Sequence, residues 1–120
     1  MVKEQLKRVW QRAVWSWQGW IHVYRTEASL TQWIVLNIVF AILAFVLPLD
    51  GTVRGLLLMG GIFILAMECV NTAIERVVDD ISTEHRERAG EAKDAGSAAV
   101  AVSGIGVGVA WVCVIVDLIV

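Results

Sequence analysis

The chain has 120 residues, 58% of them hydrophobic, with one Pro and six Trp, a composition that excludes an ordinary soluble domain. Its formal net charge of −2 and lack of a basic run give no footprint for nucleic acid. Charged side chains crowd residues 3–27 and 75–94 and nearly vanish between, the distribution of one small integral membrane domain over 1–120.

Residues 3–25 predict an amphipathic helix. Leu6, Val9, Trp10, Ala13, Trp17, Trp20, Ile21 and Tyr24 recur at three- and four-residue steps, with Lys3, Lys7, Arg8, Gln11, Gln18, His22 and Arg25 between them. Basic residues opposite four Trp between positions 10 and 20 suit a helix lying in the headgroup region. No apolar run follows the basic N-terminus at once, so no signal peptide is expected. Thr26, Glu27, Ala28 and Ser29 are expected to interrupt the helix or turn it towards the membrane.

The first predicted span covers about 30–47, uncharged, with Asn37 its one strongly polar interior residue. Pro48, Asp50 and Gly51 predict a tight turn. The second span covers about 53–79. Its first half is wholly apolar, but Glu68, Asn71 and Glu75 follow at offsets of three and seven residues, on one helical face that Asp79 continues. A carboxylate at membrane depth costs roughly 2.5–3.5 kcal/mol on insertion scales, which makes such a residue a functional candidate. Residues 80–94 predict a charged connection with a break at Gly90. The third span covers about 95–119. Gly104 and Gly108 give it a GxxxG spacing that permits close helix approach and suits oligomerisation. Cys69 and Cys113 lie in apolar segments without metal or disulfide spacing and read as packing residues.

Lys and Arg concentrate before the first span and in the second connection, whereas the first turn has only Arg54. The positive-inside rule puts the N-terminus and residues 76–94 in the cytoplasm and the C-terminus outside. Glu27, Glu75, Asp79, Lys93 and Asp94 then gather at the cytoplasmic membrane surface, beside ATP and Mg²⁺. Converging carboxylates suit Mg²⁺ bridged to phosphates. Glu68, one to two turns deeper, suits a general base acting on a lipid hydroxyl. Together these parts describe phosphoryl transfer from a soluble nucleotide to a lipid. No Walker A motif or kinase Gly-rich loop is present, which excludes a soluble-kinase fold. Two rivals are weighed from the same residues. A proton-coupled transporter explains Glu68 but not the carboxylates gathered at one face. A noncatalytic assembly subunit explains the glycines only.

The segments ECVNTAIERVVDD (68–80) and GEAKDAGSAAV (90–100), with SWQG (16–19) and TEA (26–28), resemble the prokaryotic diacylglycerol kinases, small membrane-embedded lipid kinases. The resemblance covers nearly the whole chain. It implies an all-α homotrimer of three-span subunits with an N-terminal surface helix and active sites shared between neighbours. It implies ATP-dependent phosphorylation of diacylglycerol at the cytoplasmic face of the bacterial inner membrane. It implies that Glu68 is the general base, Asn71 orients the site, and Glu27 and Glu75 hold Mg²⁺ on ATP. Lys93 and Asp94 are implied to contact the nucleotide, with Asp79, Glu84, His85, Arg86 and Trp15 beside it. Arg8 is implied near the phosphates or lipid, and Ser97 near the acceptor. Undecaprenol kinase shares the fold and chemistry, but AKDAGSAAV (92–100) is closer to the diacylglycerol branch. The chain departs from the family pattern at Trp15, His85, Arg86 and Trp33. Trp33 stands where relatives commonly carry Glu, and is expected to affect the surface helix or the lipid entrance without touching the core set.

Overall fold

A computed structural model describes residues 1–120 as four helices: α1 (Val2–Thr26), α2 (Ala28–Val46), α3 (Gly51–Ile81) and α4 (Glu87–Ile119). Three of them, α2, α3 and α4, are long and apolar enough to cross a membrane, and α1 is the expected N-terminal amphipathic helix. The protein is thus an all-helical membrane protein. The 19 residues of α2 span about 28 Å at 1.5 Å per residue, close to the ~30 Å hydrocarbon core. The 31 residues of α3 span about 46 Å, roughly 16 Å more than the core requires. That excess is the length of the polar stripe at its C-terminal end.

The junctions are tighter than the sequence suggests. Between α1 and α2 only Glu27 leaves helical geometry, with φ −117° and ψ 109°. Thr26 stays helical and donates its hydroxyl to the His22 carbonyl. Gly90 does not break the chain: α4 begins at Glu87, and the Gly90 amide donates to the Arg86 carbonyl at 3.0 Å in its first turn. One helical Gly costs about 1 kcal/mol relative to Ala, and the Glu, Arg, Ala and Lys residues around it outweigh that. The connection therefore shrinks to Ser82–Arg86, and the third transmembrane helix starts eight residues earlier than position 95.

Helix α3 is the centre of the subunit. It packs along α4 and α2, while α2 and α4 do not approach each other closely and α1 touches only α2 and α3. Glycine lets α3 and α4 meet: a Cβ at Gly60 would lie 3.0 Å from Val107. Two aromatic bridges span the gap between α2 and α4. The Phe40 and Trp111 rings lie 5.1 Å apart, and the Trp33 ring reaches Gly104, where a Cβ would sit 3.3 Å from it. Between the bridges lies an apolar cavity of about 180 Å³, lined by Gly104 and Gly108 among others. Gly104 thus meets a ring of its own chain, whereas Gly108 is exposed with open space where a Cβ would lie.

Only ten residues of the 120 are buried, and the radius of gyration is 18.0 Å against about 13–14 Å for a compact chain of this size. The subunit is a thin plate of 53 × 47 × 23 Å with apolar side chains on its faces. At the short turn, Asp50 caps α3 by accepting from the Thr52 and Val53 amides at 2.8 and 3.0 Å. Arg54 reaches back across the turn and donates to the Ala44 and Leu49 carbonyls at 2.8 and 3.0 Å. Its guanidinium also lies 5.2 Å from the centre of the Phe45 ring. The last carbonyls of α2 have no partners within their helix, so Arg54 satisfies groups that lipid cannot. Arg54→Ala is therefore expected to lose about 1.5–3 kcal/mol of stability, the worth of hydrogen bonds from a charged donor. Unfolding in mixed detergent measures the loss, and Arg54→Lys recovers a part.

Candidate active site

The polar stripe of α3 survives intact in the fold. Glu68, Asn71, Glu75 and Asp79 follow one face through the last turns of a single unbroken helix. Glu68 meets α2, Asn71 and Asp79 meet α4, and Glu75 pairs with Asn71 on α3 itself.

Glu68 is the deepest and the most enclosed, at 5% exposure. Both carboxylate oxygens accept hydrogen bonds from α2. The Ser29 hydroxyl donates to Oε2 at 3.2 Å, and the Trp33 indole Nε1 donates to Oε1 at 2.8 Å. Trp33 therefore does touch the core set, contrary to the expectation from sequence. It lies four residues after Ser29, on the same face of α2, and turns its N–H towards α3 instead of the lipid. Asn37, four residues further, donates to the Trp33 carbonyl at 3.0 Å and rests against Gly61.

One turn above Glu68, Asn71 donates from Nδ2 to Glu75 Oε1 at 3.3 Å. Its own Oδ1 is buried without a partner, facing Gly96 of α4. A Cβ at 96 would strike that oxygen, so the glycine makes room for the amide. Across the stripe, Arg76 donates to Thr26 Oγ1 and lies 3.5 Å from Glu27 Oε1. The arginine thereby ties the α1–α2 junction to the end of α3. Nowhere does the isolated subunit gather three or more His, Cys, Asp or Glu groups into a metal cage.

At the C-terminal end of α3 Lys93 pairs with Asp79. Both are half-exposed, and such pairs contribute about 0–1 kcal/mol, so either partner exchanges readily. Arg86 folds back and donates to the Val78 and Ser82 carbonyls at 3.2 and 3.1 Å, closing the end of α3. Glu84 and His85 are exposed on the connection between α3 and α4. These residues and Asp79, Gly90 and Lys93 border a polar hollow of about 200 Å³. Asp94 and Ser97 are exposed on the first turns of α4.

The remaining candidates stay apart. Arg8 and Trp15 are exposed on α1, which makes no contact with α4. One subunit does not bring them to Lys93, Asp94 or Ser97. Sequence reading missed Ser29 as a partner of Glu68 and Arg76 as the partner of Glu27. The signal for the first was present, because Ser29, Trp33 and Asn37 repeat at four-residue steps along one face of a mostly apolar helix.

Residues 14–115 match the model of the family described as prokaryotic diacylglycerol kinase. The diacylglycerol kinase of Escherichia coli K12 is 36% identical over 104 residues, covering 87% of this chain and 85% of that protein. The diacylglycerol kinase of Pseudomonas aeruginosa PAO1 is 34% identical over 110 residues, covering 92% and 89%. The diacylglycerol kinase of Helicobacter pylori strain 26695 is 31% identical over 93 residues, covering 78% and 73%. The matches run through every element that carries the polar stripe, and the chain belongs to the prokaryotic diacylglycerol kinase family of membrane-embedded lipid kinases.

Proposed function

We propose that this protein transfers the γ-phosphoryl group of ATP to the free hydroxyl of diacylglycerol, yielding phosphatidic acid and ADP. The reaction takes place at the cytoplasmic face of a bacterial inner membrane, with the N-terminus on that side. The observation that carries this reading is the buried carboxylate of Glu68, set about three turns deeper on α3 than the charged groups around Asp79 and Lys93. A lipid hydroxyl approaches at the depth of the first; a nucleotide stays in water with the second.

In this reading Glu68 accepts the proton of the acceptor hydroxyl as its oxygen bonds to the γ-phosphorus. The bond from that phosphorus to the bridging oxygen breaks, and ADP departs with the electron pair. Positioning and charge account for most of such catalysis. Lys93 leaves its weak partner Asp79 to meet the phosphates, and Asp94, Glu84, His85 and Arg86 border the nucleotide. Trp15 and Arg8 approach from α1, and Ser97 lies by the acceptor.

Glu75 and Glu27 are the residues that would hold Mg²⁺, with Asn71 alongside. Their oxygens suit it: Asn71 Oδ1 is unsatisfied, and Glu27 is held only by a weak pair with Arg76. Too few protein ligands for a closed cage is also the ordinary condition of Mg²⁺, which keeps waters and phosphate oxygens. Bound there, the ion would neutralise charge on the β- and γ-phosphates.

The active unit is a homotrimer with sites completed between neighbours. Supporting this, α1 with Arg8 and Trp15 does not reach α4 with Lys93, Asp94 and Ser97 in one subunit, and the plate leaves its broad faces uncovered.

Transfer of labelled γ-phosphate from ATP in mixed micelles, with diacylglycerol and undecaprenol supplied separately, tests the reaction. Label should enter diacylglycerol; label in undecaprenol alone would move the assignment to the polyprenol branch. In the same assay Glu68→Gln should remain a folded oligomer and lose about 10²–10⁴ in rate, the usual worth of a general base. Turnover near that of the wild type would remove Glu68 from the role. The shared site is checked by reassembling inactive Glu68→Gln protein with inactive Glu75→Ala protein. Some interfaces then collect one intact copy of each residue and recover activity. Mixed oligomers that stay dead would restrict each site to one subunit.

A further inference from the structure

The two donors on Glu68 differ in kind. An indole N–H can only donate, whereas a Ser hydroxyl can donate or accept. The Trp33 bond is also the shorter, 2.8 Å against 3.2 Å for Ser29. Oε1 is thus fixed by a donor that can never take a proton back. Oε2 is held by a group able to reverse its role.

The Trp33 ring is itself fixed. Its far edge lies where a Cβ on Gly104 would be 3.3 Å away, so the indole is wedged between α3 and the bare backbone of α4. The ring also lines the apolar cavity between α2 and α4. A second carboxylate at position 33 would repel Glu68; the indole holds it by a charge-assisted bond.

We propose that Trp33 is the positioning residue of the reaction: it anchors Oε1 of Glu68 and leaves Oε2, with Ser29 turning from donor to acceptor, as the oxygen that receives the acceptor's proton. Trp33 acts through Glu68 and touches neither substrate. The inference rests on Glu68 being the base.

The experiment compares wild type, Trp33→Phe, Gly104→Ala and the double variant in mixed micelles. ATP is saturating, diacylglycerol is varied, and Glu68→Gln is run beside them. Trp33→Phe keeps an aromatic ring and removes the N–H. Its kcat should fall on the order of tenfold, as expected for loss of one charge-assisted hydrogen bond. Its KM for lipid should stay within about twofold, because Trp33 orients the base and touches neither substrate. Gly104→Ala keeps the N–H but displaces the ring, and should lower kcat in the same direction by less. The double variant should be no slower than Trp33→Phe alone, since both changes break one contact. If Trp33→Phe does not assemble, Gly104→Ala carries the test through the same fall in kcat at constant KM. Wild-type kcat in Trp33→Phe beside an inactive Glu68→Gln would overturn the role of Trp33 alone. So would a change confined to KM, or additive losses in the double variant. An active Glu68→Gln would overturn the base beneath it.

Discussion

Glu68 is a buried carboxylate on a spanning helix and must be kept out of lipid, and the rest of the chain is arranged around that constraint. A carboxylate on a spanning helix is tolerated only where protein groups replace water. Ser29 and Trp33 supply those groups from α2, and the positions of both depend on the junction at Glu27. That junction is tied to α3 by Arg76 through Thr26 and Glu27. A short run of residues thus links the entry of the first span to the site on the second. Disturbing Glu27 would disturb the donors of Glu68 as well as a candidate metal ligand.

Helix α3 serves as both wall and ruler. Its stripe places four polar groups along a fixed axis, and about 1.5 Å per residue sets the depth of each. From Glu68 to Asp79 is about 16 Å along that axis, enough to separate a lipid-level group from a water-level one. A flexible loop could not hold such a separation; an unbroken helix does so without added contacts. The continuity of α4 through Gly90 has the same effect on the opposite side. It carries Lys93 on the helix itself, one element away from Asp79, with the glycine at 96 giving Asn71 its space.

The fold was largely legible because membrane spans and interfacial helices write themselves in runs and periods. The three spans, the surface helix and the stripe Glu68, Asn71, Glu75 and Asp79 all follow from spacing. The failures have physical causes. Gly90 suggested a break because propensity was read one residue at a time, whereas its neighbours decide the turn. The GxxxG spacing of Gly104 and Gly108 says only that something comes close, and not what. Here the Trp33 ring comes close to Gly104 from within the subunit. Trp33 was read as a departure from the family's Glu that leaves the core set untouched, and the donor capacity of its N–H was overlooked. Contacts of Glu27 with Arg76 and of Glu68 with Trp33 join residues 49 and 35 positions apart, and no periodic pattern encodes such pairs.

The thinness of the subunit follows from the same economy. Without a hydrophobic driving force between helices in lipid, association relies on packing and polar contacts. Inside one subunit those resources are concentrated on α3, where Gly60 and Gly61 admit their neighbours and the stripe collects its partners. Little is left to draw α2 towards α4, and two aromatic bridges with a cavity between them hold that gap. The broad faces remain covered with Val, Ile, Leu and Phe that lipid or another subunit can meet equally well. Polar groups are a different matter, because lipid cannot satisfy them. Two buried polar atoms, Asn71 Oδ1 and Arg86 Nε, lack a partner within the chain, and the first lies on the polar stripe beside Glu75.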